Sequence, residues 1–226
     1  MWIKICANTR LEDAVRAAEL GADAVGFVFA TSKRQVTIPQ VAAITAALPQ
    51  AVERIGVFDT RNAGEIVAAV SSAGLSGVQL HGGYDEALLS QLHQQLGNHI
   101  SITQTLHWNV SAEGQNSADE LASKLARIAE LGFIQRVLVD SKVNGAGGGT
   151  GVSFDWSKAQ PLFAQAQSNL SLILAGGLRP ENVAEAIAQL HPWGVDVASG
   201  VEAEIGCKDP ARIAQFIQRA RAAHKP

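Results

Sequence analysis

Cysteine is nearly absent from this sequence. Cys6 and Cys207 are its only two among 226 residues, too few for a disulfide framework and without the paired spacing of a zinc ligand set. Histidine offers no metal pattern either: His81, His93, His99 and His107 fall on expected strand ends, helix and loop, not at an i, i+4 spacing around a carboxylate. No metal is expected. A dominant charge is missing too. Eighteen basic side chains against 21 acidic ones leave a net −3, which provides no general field for nucleic acid or an anionic membrane. Any anion must therefore be caught locally. No apolar run approaches the roughly 18 residues of a membrane span, and Met1-Trp2-Ile3-Lys4-Ile5-Cys6 has neither the apolar stretch nor the cleavage site of a signal peptide. The expectation is a cytoplasmic protein with no nucleic-acid or membrane partner; its oligomeric state is not legible, and nothing calls for a second subunit to complete a site.

What the chain does have is apolar material and glycine: 47% hydrophobic residues and 21 glycines, enough for a core and many tight turns. Short β-rich runs alternate with helical patterns throughout. The strands are expected at Trp2–Cys6, Ala24–Phe29, Arg54–Phe58, Gly77–Leu80, Ile100–Thr105, Arg136–Asp140, Leu172–Ala175 and Gly194–Ala198. Helices are expected at Leu11–Leu20, Pro39–Leu48, Ala63–Ala73, Asp85–Leu96, Ala118–Leu131, Trp156–Gln167, Pro180–Leu190 and Ala211–Ala222. Asn109–Ser117 reads as a long polar loop. Several strands are continuous apolar runs, as parallel strands covered on both faces require. Eight such units, with no shift in composition, favour one (β/α)8 TIM barrel domain over residues 1–226; a doubly wound open sheet is the rival.

In a barrel the C-terminal ends of all strands share one mouth. Cys6 and Asp140 both stand at such ends. A thiol can act as a base when neighbours lower its pKa, although a free cysteine is also a common core residue; a half-buried carboxyl can deliver a proton, or simply cap a turn. Gly147-Gly148-Gly149-Thr150-Gly151, Gly176-Gly177 and Ser199-Gly200 follow the last three strands. Backbone N–H groups approach a phosphate closely where Cβ is absent, and barrel phosphate sites commonly use the last two loops. The same glycines also serve sharp turns. Arg34, after the second strand, can clamp a carboxylate through two parallel bonds or stay a solvated surface charge. His81 can line the mouth or be structural. Asp196, a charge in an otherwise apolar strand, either orients a ligand hydroxyl or satisfies backbone donors. Cys207 is expected to be structural. Together these residues suggest proton transfer on a phosphorylated small molecule.

The ordered series Lys4-Ile5-Cys6, Gly21-Ala22-Asp23-Ala24-Val25-Gly26-Phe27, Ser32-Lys33-Arg34, Gly56-Val57-Phe58, Val78-Gln79-Leu80-His81-Gly82, Gly148-Gly149-Thr150-Gly151 with Phe154-Asp155-Trp156, Leu174-Ala175-Gly176-Gly177-Leu178 with Pro180-Glu181-Asn182-Val183, and Gly194-Val195-Asp196-Val197-Ala198-Ser199-Gly200-Val201-Glu202 resembles the phosphoribosylanthranilate isomerases of tryptophan biosynthesis. The resemblance implies a cofactor-free Amadori rearrangement, an aldose–ketose isomerisation. It assigns Cys6 as the base toward the ribose C2 proton, Asp140 as the acid toward the ring oxygen, Arg34 to the anthranilate carboxylate and the glycine loops to the phosphate. The chain departs from the family pattern at Ala7, where glycine is usual, and at Ala198-Ser199, where two serines are usual. Another phosphosugar isomerase, epimerase or lyase, and a non-catalytic phosphoryl-ligand binder, are the competing readings.

Overall fold

Apolar strands without alternation need cover on both faces, and the computed structural model shows how each is covered. It describes residues 1–109, 114–142, 156, 159–166 and 169–224. The strands β1 (Trp2–Ile5), β2 (Ala24–Val28), β3 (Glu53–Phe58), β4 (Gly77–Leu80), β5 (Ser101–Asn109), β6 (Arg136–Lys142), β7 (Ser171–Ala175) and β8 (Gly194–Val197) form a closed parallel barrel in sequence order, with β8 pairing back onto β1. This closure removes the open-sheet alternative. Helices α1 (Leu11–Glu19), α2 (Ile38–Thr45), α3 (Ala63–Ala73), α4 (Glu86–Leu96), α5 (Gly114–Leu131), α6 (Gln160–Ala166), α7 (Val183–Leu190) and α8 (Pro210–Ala223) follow the strands in turn. A hairpin, β9 (Glu202–Glu204) and β10 (Cys207–Lys208), is inserted before α8.

The period of two along each strand divides the interior. Ile3, Ile5, Val137, Val139, Leu172 and Leu174 point outward into the main core beneath the helices, while Leu138, Ile173 and Ala175 form a separate small cluster inside the barrel, with Trp2 packed against it. Local chemistry sets the helix ends. Thr37 and Gln40 cap each other's backbone at the start of α2, and the Asp209 carboxylate accepts from the N–H groups of Ala211 and Arg212 just ahead of Pro210.

The lower end of the barrel is closed by aromatics and one ion pair. Trp2 stacks on Trp193 at 5.4 Å, the Arg136 guanidinium lies 5.0 Å and 5.4 Å from the Trp193 and Trp2 rings, and Glu53 accepts from both Trp2 Nε1 and Arg136. The cavity therefore opens at the other end.

Four sequence expectations need correction. The fifth strand does not stop at Thr105: it runs to Asn109 because β6 pairs with it residue by residue as far as Lys142, burying Leu106 and Trp108. The expected loop Asn109–Ser117 is correspondingly shorter, since α5 begins at Gly114. Residues Pro180–Asn182 form a turn, not the first turn of α7, because the Asn182 amide accepts from Arg179 N–H and donates to the Gly177 carbonyl. The sixth helix starts at Gln160 rather than Trp156, with Pro161 in its first turn, where a missing N–H is harmless.

Candidate active site

Cys6 follows β1 directly. Its N–H donates to the Val197 carbonyl, and the next two residues turn sharply: Ala7 takes a left-handed φ of 60°, and the fully buried Asn8 side chain donates to the carbonyls of Ile5 and Gly26. Ala7 thus occupies the kind of backbone conformation in which glycine carries no penalty. Gly26 has a different reason to be glycine: a Cβ there would lie 2.6 Å from the Cys6 sulfur. The thiol is 6% exposed and faces a cavity of about 370 Å³.

Beneath it lies a buried polar layer. Lys4 shares the inward face of β1 with Cys6, and the register that pairs Lys4 with Asp196 sets its ammonium 3.3 Å from that carboxylate. The ammonium also donates to Gln79 Oε1, whose amide nitrogen donates to Thr105. Burial pushes the Cys6 thiol above its ordinary pKa, and the Asp196 charge adds to this; the ammonium groups of Lys4 and Lys208 pull it down. Burial thus favours the neutral thiol over the thiolate. Burial likewise raises the Asp196 carboxyl, with Lys4 opposing. Lys4 is the converse: burial disfavours its charge, but Asp196 and the thiol outweigh that and hold its pKa up. Asp196 lines the cavity, and its buried Oδ1 has no hydrogen-bond partner among the described residues, leaving an acceptor without a donor.

Arg34 reaches the same cavity, already clamped. Its Nε and Nη2 donate to Glu202 at 2.7 Å and 2.5 Å, and Lys208 donates to Glu202 from the other side at 3.2 Å and to the Ala198 carbonyl at 3.0 Å. Burial works against the Glu202 charge, but these two cations more than offset it and hold its carboxyl below the usual range. Thus the bidentate partner that the sequence led us to expect in a ligand is, here, a residue of the hairpin; Nη1 remains as the edge not committed to Glu202.

Across the mouth stand His81, just beyond β4, and Asp140 on β6, both lining the cavity. Between their strands, β5 carries His107, the register partner of Asp140. His107 Nδ1 lies 3.5 Å from Asp140 Oδ2, its Nε2 is 3.1 Å from the His81 carbonyl, and its ring meets that of His81 edge-on at 4.7 Å. Gly176 and Gly177 close the rim after β7 with φ of 91° and 63°, and Ser199 and Gly200 follow β8. Gly200 passes so close to the Leu178 carbonyl that a Cβ would overlap it, which locks these two loops together. Gly149 lies outside the described residues.

The structure therefore gathers Cys6, Arg34, His81, Asp140, Asp196 and the last two glycine loops on one cavity. Reading the sequence missed Lys4, Gln79, His107, Glu202 and Lys208. For Lys4 there was a signal: it is a charge two residues from Cys6 on the same strand face. For Glu202 and Lys208 there was none, because the hairpin that presents them was read as loop.

Comparison with known proteins agrees with this arrangement. Residues 3–219 match the family model described as N-(5′-phosphoribosyl)anthranilate (PRA) isomerase. The chain is 41% identical over 219 residues to the N-(5′-phosphoribosyl)anthranilate isomerase of Pseudomonas fluorescens (strain Pf0-1), covering 96% of this chain and 97% of that one. Its fold is similar to the crystal structure of phosphoribosyl anthranilate isomerase from Thermotoga maritima, with a TM-score of 0.81, 36% identity, and 98% and 99% of the two chains covered. It is also similar to a phosphoribosyl anthranilate isomerase in complex with reduced 1-(o-carboxyphenylamino)-1-deoxyribulose 5-phosphate, with a TM-score of 0.78, 34% identity, and 98% and 99% coverage.

Proposed function

Because the chain belongs to the N-(5′-phosphoribosyl)anthranilate isomerase family, we propose that Cys6 and Asp140 are the base and acid of its reaction, an aldose–ketose isomerisation of N-(5′-phosphoribosyl)anthranilate in tryptophan biosynthesis. One observation carries this assignment: the sulfur of Cys6 and the carboxyl of Asp140 open onto one cavity from strands on different sides of the ring.

The chemistry follows from the charges. Asp140 in its protonated form gives its proton to the ring oxygen; the C1–O bond breaks, its electron pair staying on oxygen, and the anilino nitrogen lone pair forms an iminium ion at C1. That positive charge acidifies the adjacent C2–H. Cys6, after releasing its own proton to solvent, removes the C2 proton as the thiolate, and the electrons of that bond form the C1–C2 double bond of an enolamine while the iminium nitrogen is neutralised. Tautomerisation, with loss of the O2 proton and protonation at C1, gives the ketone. A buried neutral thiol is a poor starting base, so Lys4 and Lys208 matter: their positive charges stabilise the thiolate that must form. The iminium ion adds a third cation beside the sulfur at the step that needs it.

The remaining groups bind. Asp196, which lines the cavity and whose buried Oδ1 lacks a partner among the described residues, accepts from a ribose hydroxyl. Arg34, held rigid by Glu202, offers Nη1 to the anthranilate carboxylate. Gly176, Gly177, Ser199 and Gly200 present backbone N–H groups to the phosphate, Gly149 is assigned to the same role by its place in the sequence, and His81 lines the sugar side. The phosphorylated substrate is the only small molecule this scheme requires.

The test is loss of substrate fluorescence with freshly generated phosphoribosylanthranilate. The wild-type protein is expected to convert it, Cys6→Ala and Asp140→Asn to do so roughly 10²–10⁴-fold more slowly, and Arg34→Ala to raise KM. Persistence of the substrate signal with folded wild-type protein would overturn the reading.

A further inference from the structure

We propose that His81, His107 and Asp140 form a reversible binding site for a late first-row divalent cation, zinc above all, and that filling it arrests the isomerase by occupying the carboxylate that serves the ring oxygen. The spacing of histidines along the sequence gave no hint of a metal, yet the barrel sets two of them beside a carboxylate. One nitrogen from each imidazole and one Asp140 oxygen fall within 4.8 Å of one another on three adjacent strand ends. Donor atoms about 2.0–2.1 Å from a tetrahedral zinc ion are roughly 3.4 Å apart. The pair His107 Nδ1 and Asp140 Oδ2, at 3.5 Å, already has that separation, so only His81 must move inward.

The tautomer of His107 strengthens the case. A backbone carbonyl can only accept, so the 3.1 Å contact between Nε2 and the His81 oxygen requires the proton on Nε2. In the neutral ring the Nδ1 lone pair is then aimed at Asp140 Oδ2. Two electron-pair donors facing each other across 3.5 Å repel, and a proton or a metal ion between them turns that repulsion into attraction. An imidazole that gives its other N–H to a backbone carbonyl is also the arrangement that orients metal-bound histidines. His107 Nδ1 is itself buried, but the His107 and Asp140 side chains are 27% and 17% exposed and Asp140 and His81 line the cavity, so an ion enters from the cavity side. Two nitrogens and one oxygen suit zinc or cobalt better than magnesium or calcium, and three protein ligands leave the fourth position to water.

The arrest of turnover rests on the isomerase reading above; the binding does not. Metal-free wild-type protein is titrated with CoCl2, followed by visible absorption, and with ZnCl2, followed by calorimetry. Turnover of phosphoribosylanthranilate is measured with and without ZnCl2. The expected results are one equivalent bound, a tetrahedral cobalt spectrum without a thiolate charge-transfer band, and zinc inhibition reversed by EDTA. His107→Gln and His81→Asn, each checked for folding by its melting transition, are expected to weaken zinc at least tenfold and to bring the ratio of each variant's rates with and without zinc close to one. Absence of one-equivalent binding by the wild type, a thiolate band assigning the metal to Cys6 or Cys207, or affinity unchanged in both variants would overturn the site. Binding without any turnover of the substrate would support the site and instead count against the isomerase reading.

Discussion

On the flank of the mouth built by β1, β8 and the hairpin, charges are buried: Lys4 is 1% exposed, Lys208 and Glu202 are covered, and each ionic group is neutralised by another of the same cluster. On the opposite flank, built by β4, β5 and β6, the groups at the rim that can carry charge include two imidazoles and a carboxylate whose side chains keep contact with solvent. The difference follows from what each side must do. A thiol that is to become a thiolate needs fixed cations in a poorly screened setting, where their charge counts for more. A carboxyl that must be reprotonated in every cycle needs a route for protons, which a dry ion-pair network would deny it.

The largest effect should come from silencing either flank. Cys6→Ala and Asp140→Asn are each expected to lower turnover by roughly 10²–10⁴-fold, the usual worth of a general base or acid, with far-ultraviolet circular dichroism unchanged. An equal loss from both would show the two flanks to be equally required; retention of activity by one would break the comparison on that side.

Stability should separate the flanks next. Lys4→Met leaves the Asp196 carboxylate buried without its partner and is expected to cost about 3–5 kcal/mol, whereas His107→Gln on the wetter side should cost about 1 kcal/mol or less, both measured by urea unfolding. The pH dependence has a definite sign. Because Lys4 is held above its ordinary 10.5, its contribution is intact below that value and fades only as pH climbs through the raised one.

Ala7→Gly should be smaller and of opposite sign, stabilising the protein by about 1 kcal/mol, since a left-handed residue with a Cβ carries a penalty of roughly that size. Thermal unfolding would check it; no gain would mean that the turn beside Cys6 is not strained. The most delicate probe is the thiol itself. Asp196 is among the causes that raise the Cys6 pKa, so Asp196→Asn should let iodoacetamide alkylate Cys6 at lower pH than in the wild type. A profile unmoved or displaced upward would show that the buried charges do not govern the sulfur.

Much of the architecture was legible because it is written in local patterns. The strand bounds of β4 and the helix bounds of α3 coincide with the apolar periodicity, and Cys6, Asp140 and the glycines after the last two strands were recognisable as strand-end chemistry. The errors have a common physical origin. Thr105 was read as the end of a strand, but ladder bonds from β6 carry the strand on to Asn109, and with it His107. Arg34 looked ready for a ligand carboxylate, yet Glu202, 168 residues away, reaches it first. Lys4 was passed over although its two-residue spacing from Cys6 sets both on one strand face; its partner Asp196 comes only with the β1–β8 register.

Alternation of apolar runs with helical patterns, the glycines at turns, and the presence of one thiol and one carboxyl at strand ends were determined by the sequence alone, because each depends on neighbours a few residues away. Which residues meet was decided only by the tertiary structure. Closing β8 onto β1 sets Lys4 beside Asp196, and the register of β5 on β6 sets His107 beside Asp140. Both depend on how the strands tilt and shift to complete a ring, and that condition is imposed on all eight at once, not on any stretch of chain by itself.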